Sequence, residues 1–474
     1  MPVNRETMAS APRTPAMRRD AMAPLLRPEF AHQLLELALS VAHADETELT
    51  LQAGSSALTR FANNGIHQNV AETQTTVSIR SVVEGRMARV STNRLDPASI
   101  AETVARAEEL ARLQAPEPDL LPMPDPQQYP QVARAFASAM LTPEERAEKT
   151  EAMIAVARRE KLTAAGVVAN HRTAQALINS RGLEAYYEET GAEYSVTMQG
   201  SDSSGWAKAS STDGARLDFA GGAETAARKA RLSAAPIELP PGRYTVILEP
   251  AAVLDLLGFL FWDFGGLAIL DQRSFLTGRL GTRLFGENIH IHDDVLHPLQ
   301  SGAPFDGEGM PRQRLKLVEG GVIRSLAYAR QTAERMRREH PEIPAAPTGH
   351  GFPLPNEYGE APLNIMMEGG EQTLEELIAG VERGILVTRL WYIREVDAYE
   401  KLLTGMTRDG TFLIEKGQLA RGLRNFRFNQ SMIELLNQVE ALGIPTRASG
   451  EESFDMVVPP LRAGGFNFTE VTRF

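Results

Sequence analysis

Between Ala115 and Pro130 the chain reads APEPDLLPMPDPQQYP, six prolines in sixteen residues. Each proline lacks an amide N–H and fixes its own φ, so neither a helix interior nor a central strand can hold this stretch. The fold must be assembled on either side of it. The stretch itself is expected to run as a linker, spanning 115–141, or as a segment strapped over the surface.

On the N-terminal side, Phe30, Leu34, Leu37 and Val41 recur at helical spacing across Glu29–Ala42. Four short strands are expected next, over Glu48–Ala53, Leu58–Ala62, Ile66–Glu72 and Thr75–Val83, with Asn63-Asn64-Gly65 as a hairpin turn. Asp96 is a natural N-cap, followed by Pro97 and a buried stripe of Ile100, Val104 and Ala107. These elements make a first α/β unit, 29–114. Beyond the proline stretch, Thr142-Pro143-Glu144-Glu145 is a capping box that opens another helix. Strands from Ala165 to Ala209, turning at Asn179-Ser180-Arg181-Gly182, and a helix over Gly222–Ser233 complete a second unit, 142–235. The Glu145–Lys149 run ERAEK is a solvated helix face.

Pro-Pro-Gly near Pro236–Gly242 marks the next boundary. The remainder, 240–474, reads mostly as strands, with helices near Ala251–Phe264, Gln331–Arg338, Thr373–Gly380 and Met432–Leu442. Runs of strands with few helices predict an α+β fold: an N-terminal α/β part with mixed sheets, then a strand-rich C-terminal domain.

Composition narrows the partners. At 474 residues and 43% hydrophobic content the chain can bury more than one core. A net charge of −12 argues against nucleic acid, whose phosphates demand a local excess of Lys and Arg. The absence of cysteine removes disulfides, thiolate nucleophiles and Cys-ligated zinc, and a reducing, cytoplasmic location is the simplest expectation. Residues 1–28, with Arg5, Arg13, Arg18, Arg19 and Arg27 and no apolar run, are expected to form a disordered tail rather than a secretory leader. The longest apolar stretch, Ala251–Trp262, contains Asp255 and is too short for a bilayer, so no membrane association is expected.

The usual signatures of hydrolytic or nucleotide chemistry are missing: no G-x-S-x-G, no P-loop, no G-x-G-x-x-G, and no histidine followed by glutamate. HIHDDVLH sets His290, His292 and His297 beside two aspartates, the content of a metal site, and a strand would turn His290 and His292 to one face. The competing reading is an exposed strand running into a loop. Asp306 and Glu308, between glycines in FDGEG, are either a carboxylate pair for acid/base work or a tight turn. Arg394, Asp397, Arg408 and Asp409 are cleft candidates, the last two in a T-R-D-G hairpin loop. Trp206, Trp262 and Trp391 are too scattered for a base-stacking platform and read as core or cleft residues.

The order of several segments carries more information than any one motif. RFANNGIHQNV (Arg60–Val70) and VSIRSVVEGRMARVSTNRLD (Val77–Asp96) resemble the N-terminal part of the TldD/PmbA family. SFLTGRLG (Ser274–Gly281), FDGEGMPRQRLKLVEGGV (Phe305–Val322), TGMTRDGTFLIEKGQL (Thr404–Leu419) and NFRFNQS (Asn425–Ser431) resemble its C-terminal domain, in the same order. In the zinc-bearing branch, a helix ahead of the S-x-x-x-G-R-x-G segment carries H-E-x-x-x-H, and a cysteine near the C-terminus completes the site. Here Glu249–Gly266 holds no histidine, and the chain has no cysteine. His292 and His297 have the H-x-x-x-x-H separation but follow that landmark instead of preceding it.

The resemblance therefore implies a metallopeptidase-related chain of the PmbA/TldE-like branch, with no catalytic residue and no cofactor of its own. It would be the partner of a TldD-like subunit that holds the zinc, and the pair would process small unfolded peptides. Two other readings compete: a self-contained metallopeptidase built on the three histidines, and a homodimeric peptide-binding scaffold.

Overall fold

The structure, a computed structural model, describes residues 26–472. The expected tail, as far as residue 25, lies outside them. The first described helix, α1 (Pro28–Ser40), starts on a proline and buries Ala31, Leu34, Leu35 and Ala38.

Two long strands follow, β1 (Glu46–Ala62) and β2 (Gly65–Val83), where four short ones were expected. The small and polar residues between the expected pieces do not break the ladder, because both neighbours continue through them: Gly54 lies opposite Gln74 of β2 and Thr173 of β4 (Thr163–Asn179). The tight turn is as read, with Asn63 at φ 51° and Asn64 at φ 58°, the left-handed conformation that asparagine tolerates.

With β3 (Arg86–Thr92), β5 (Glu184–Gln199) and β6 (Ser204–Ser211), these strands form one sheet in the order β3-β2-β1-β4-β5-β6. Every pairing in it is antiparallel, not mixed as expected. The sheet also crosses the proline stretch, since β1 from one side pairs along β4 from the other.

Alternation sets the layers: odd-numbered residues of β1 share a face. Leu49 and Leu51 pack with α1 and with α2 (Pro97–Leu113), while Phe61 packs with α3 (Pro143–Glu160) and α4 (Phe219–Leu232). The predicted caps hold these helices, Asp96 accepting from Ser99 N and Thr142 forming a reciprocal capping box with Glu145.

The opposite face of the sheet meets the C-terminal half. That half contains a mixed sheet, β10-β9-β8-β11-β18-β17, built from Ile291–Asp293 (β8), Leu315–Glu319 (β9), Val322–Ile323 (β10), Ile365–Met367 (β11), Thr446–Ala448 (β17) and Met456–Val458 (β18). Its β11–β18 pair is parallel. A second sheet joins β7 (Gly242–Leu248), β12 (Arg383–Asp397), β13 (Leu402–Glu415), β15 (Phe426–Ser431) and β19 (Leu461–Val471), and pairing of β12 with β13 closes these five strands into a ring. Strands thus dominate the C-terminal half, and the whole is an α+β fold.

Two helices differ from expectation. The expected Ala251–Phe264 helix is cut to α5 (Pro250–Leu257), followed by a 3₁₀ turn at Phe261–Phe264. It stops at Gly258, where a Cβ would lie 2.0 Å from Ser453 Oγ, so a crossing loop occupies the place of a side chain. The expected Met432–Leu442 helix ends at Asn437, and Val439–Leu442 pairs with β19 instead.

At one end the two halves are sealed together. Glu48 is buried between Arg80 (2.8 Å) and Arg89 (2.5 Å), and Arg89 Nε donates to Leu354 O. Burial alone would raise the Glu48 carboxyl, but the two guanidinium groups hold it below its ordinary range. The proline stretch straps across this end, with Met123 buried, Pro124 O accepting from Asn179 and Tyr129 donating to Gly309 O at 2.7 Å.

Candidate functional site

The other end of the interface is open. Three clefts share one wall, the segment 446–455 that begins with β17; the first lies within the C-terminal half and the other two between the halves. The first, about 380 Å³, lies below the end of α5 between Phe259, Trp262 and Phe454 and the charged groups Asp263, Glu395, Lys401 and Glu452. The second, about 340 Å³, opens over β5 and β6 and is lined by His171, Glu193, Ser210, Arg447 and Asp455. The third, about 480 Å³, runs between Trp206, Lys208, Lys229, Glu249 and Ser449.

Side chains from both halves fix this wall. Lys208 Nζ donates to Gly450 O at 2.7 Å, and Ser210 Oγ donates to Asp455 Oδ2 at 2.5 Å. Arg447 reaches the same serine and also pairs with Asp455 at 2.9 Å. On the far side, Tyr392 N donates to the Glu452 carboxylate at 2.6 Å, with Arg394 3.7 Å away. In the first cleft, buried Lys401 bridges Asp263 (2.5 Å) and Glu395 (2.6 Å). Burial pushes the Asp263 carboxyl up even so.

Helix α5 lies behind the wall. Ala252, Val253, Leu254, Leu256 and Leu257 are all buried, and Asp255 is its one metal-donor side chain. Asp255 Oδ1 accepts from Glu452 N at 3.1 Å, while its Oδ2, among the described residues, meets no partner. Burial, with Glu452 and Glu451 nearby, pushes this carboxyl up to about 7.

A zinc ion needs three or four donors converging at about 2 Å. The residues here do not fit one: the Glu452 carboxylate is taken by a backbone N–H, no histidine stands on α5, and among the described residues no three His, Asp or Glu side chains are placed to hold a metal.

The histidines of HIHDDVLH are not brought together. His292, buried on β8, meets Glu368 at 2.5 Å; His290 Nδ1 accepts from Gly320 N; His297 Nδ1 accepts from Leu299 N. Burial lowers His297 below the ordinary imidazole value despite Asp294 beside it.

FDGEG forms a tight turn, and a buried one. Asp306 accepts from Glu308 N, Met310 N and Gly351 N, and Glu308 accepts from Arg330 N. Burial and the Asp306 charge push Glu308 up to about 7. These carboxylates sit near Arg80 at the sealed end, away from the clefts.

The four cleft candidates are spread along the β12–β13 hairpin. Arg394 stacks on Tyr392 at 4.2 Å and lies 3.7 Å from Glu452, which lines the first cleft. Asp397 caps the hairpin turn by accepting from Tyr399 N and Glu400 N. Asp409 is buried against Arg389, which stacks on Trp206, while Arg408 covers Trp391. Residues the sequence did not single out do more at the clefts: Lys401, Glu452, Arg447 and Asp455. Asp255 had a signal, as a lone charge inside an apolar run.

Comparison with known proteins agrees with this architecture. Profiles described as PmbA/TldA metallopeptidase domain 1, central domain and C-terminal domain match residues 47–111, 137–234 and 241–470. The chain is 25% identical over 218 residues to a protein named Metalloprotease from Methanothermobacter thermautotrophicus, spanning 43% of each chain. To Metalloprotease PmbA of Escherichia coli O157:H7 it is 23% identical over 462 residues, covering 92% of this chain and 96% of the relative. The crystal structure of TldE from Thermococcus kodakarensis superposes with a TM-score of 0.83 at 20% identity, over 93% of this chain and 99% of that one. With three consecutive domains matched in order, the chain belongs to the PmbA/TldD metallopeptidase family.

Proposed function

We propose that this chain is the non-catalytic partner of a zinc-bearing TldD-like subunit, and that the pair hydrolyses small unstructured peptides in the cytoplasm. The carrying observation is the composition of α5: where the family's zinc branch has ligands, this helix offers leucines and one carboxyl already bound to a backbone N–H. A first shell without electron-pair donors cannot activate water.

The open clefts support a part in peptide handling. They combine aromatic walls at Phe259, Trp262 and Phe454 with charges of both signs, a lining suited to an extended chain of varied sequence. Hydrolytic chemistry would then come from the companion's metal, while this chain contributes a wall and polar anchors. No membrane-crossing helix, long and apolar enough, occurs among the described residues.

The test is a tagged pull-down from the native host. A companion with H-E-x-x-x-H, and peptide hydrolysis by the recovered pair, is the expected result. Recovery of the chain without any such relative would count against the proposal.

A further inference from the structure

A pocket of about 300 Å³ lies apart from the 446–455 wall, between α4 and the C-terminal half. Its floor is Ile378, Leu386 and Phe412, all buried, and Leu232, Leu374 and Leu419 stand half-buried around it. This small apolar cluster is packed on one side and open on the other. Apolar side chains beside unfilled space forfeit dispersion contacts that a ligand of the right shape restores.

The walls are fixed. Gly417, at φ 72°, holds the turn after β13 against the short helix Leu374–Ala379, where a Cβ would lie 2.7 Å from Ala379 O. Lys416 N and Gly417 N tie the same turn down by donating to Glu382 O and Val381 O, at 2.7 and 2.9 Å. On the other side, Thr225, Lys229 and Glu249 line both this pocket and the third cleft. Lys229 and Glu249 are paired at 2.6 Å, and Thr388 Oγ1 donates to Glu249 at 3.1 Å, so these two charges already satisfy each other.

Two other charges line the pocket. Arg228 and Glu375 are exposed, and among the described residues neither has an ion-pair partner. One unpaired cation and one unpaired anion beside an apolar space match a small molecule with an apolar body and both charges.

We infer that the pocket binds a free apolar α-amino acid of the leucine or phenylalanine class. The side chain would lie among the leucines and Phe412, the carboxylate at Arg228 and the ammonium at Glu375. Size agrees with this: an apolar cavity of ~150 Å³ holds benzene, so this pocket takes roughly twice that bulk, about a whole phenylalanine. A fatty acid suits the apolar walls but leaves Glu375 without a partner, and a peptide terminus brings only one of the two charges. Hydrolysis of apolar peptides releases such amino acids; that link rests on the proposed function, whereas the site stands on this chain alone.

The test is calorimetric titration of the isolated full chain with L-phenylalanine and with L-leucine. Saturable one-to-one binding is expected, with a Kd at or below ~1 mM. 3-Phenylpropionate, which lacks the ammonium, and phenethylamine, which lacks the carboxylate, should each bind about tenfold more weakly than phenylalanine. Arg228→Glu and Glu375→Lys, both at exposed positions, should each weaken phenylalanine binding about tenfold with melting unchanged, and Leu232→Trp, which fills the pocket, should abolish it. No saturable binding of either amino acid up to roughly 10 mM, a one-charge analogue that binds as tightly as phenylalanine, or binding indifferent to all three substitutions would overturn the inference. Because the chain is assayed alone, each of these results leaves the proposed partnership with a zinc-bearing subunit untouched.

Discussion

The two ends of the interface between the N-terminal sheet and the C-terminal half differ in how they treat charge. At the sealed end, Glu48, Asp306 and Glu308 are buried and tied to guanidinium groups or backbone N–H groups, and Arg80 is buried against the Glu48 carboxylate. At the open end, Lys208, Arg447, Asp455 and Glu452 line clefts. Buried charge without room for a ligand belongs to scaffolding, whereas comparable charge around open space can exchange its partners for a substrate. The clefts are thus where function is to be sought, although the sealed end also holds carboxylates that burial pushes up.

The sharpest way to break that contrast is at Glu48. Glu48→Gln leaves Arg80 buried without its counter-charge and should cost about 3–5 kcal/mol of stability, read as a large fall in the denaturant midpoint. A loss below 1 kcal/mol would mean that water enters the sealed end.

Asp255 gives the next effect, and one with a pH signature. Its folded pKa of about 7 lies above the ordinary carboxyl value, so the folded state holds a proton that the unfolded chain has lost. That contribution is complete below about pH 4, declines as pH rises, and is gone above about 7. Asp255→Asn should therefore flatten the fall in stability between pH 4 and 7 and be the more stable form at pH 8, by ~2 kcal/mol. An unchanged pH profile would show Asp255 solvated. Glu308, raised by the same cause, contributes a slope of the same sign.

Smaller effects separate local structure from the interface. Thr142→Ala removes the capping box of α3 and should cost about 1 kcal/mol by chemical denaturation, with the clefts untouched. Arg447→Ala at the open end removes hydrogen bonds to Ser210, Leu299 O and Asp455 and should cost about 1–3 kcal/mol, yet reduce peptide hydrolysis by more than that loss explains when the chain is combined with its companion. A loss of hydrolysis no greater than the loss of folded protein would make Arg447 part of the scaffold.

What could be read in advance follows from how local each signal is. Asn63-Asn64, Asp96 and the Thr142 box announce themselves because their partners lie within a few residues. The continuity of β1 and β2 was hidden, since Gly54–Ala57 and Thr73-Gln74 look like breaks until the neighbouring strands are known to run through them. Beyond α5 the packing was equally hidden, because Ser453, which leaves no room for a Cβ at Gly258, is distant in sequence. The same holds for the clefts. Lys401 with Asp263, and Ser210 with Asp455, are joined only by the fold. His290, His292 and His297 were clustered in sequence but not in space, because β8 and the loop after it turn them to separate partners.

The central claim concerns α5 and is tested most directly by zinc titration calorimetry on the isolated chain after exhaustive chelation. The account predicts no site of one-to-one stoichiometry that responds to Asp255→Asn or Glu452→Gln. A tight, stoichiometric zinc site abolished by those substitutions, with peptide hydrolysis by the chain alone, would contradict it.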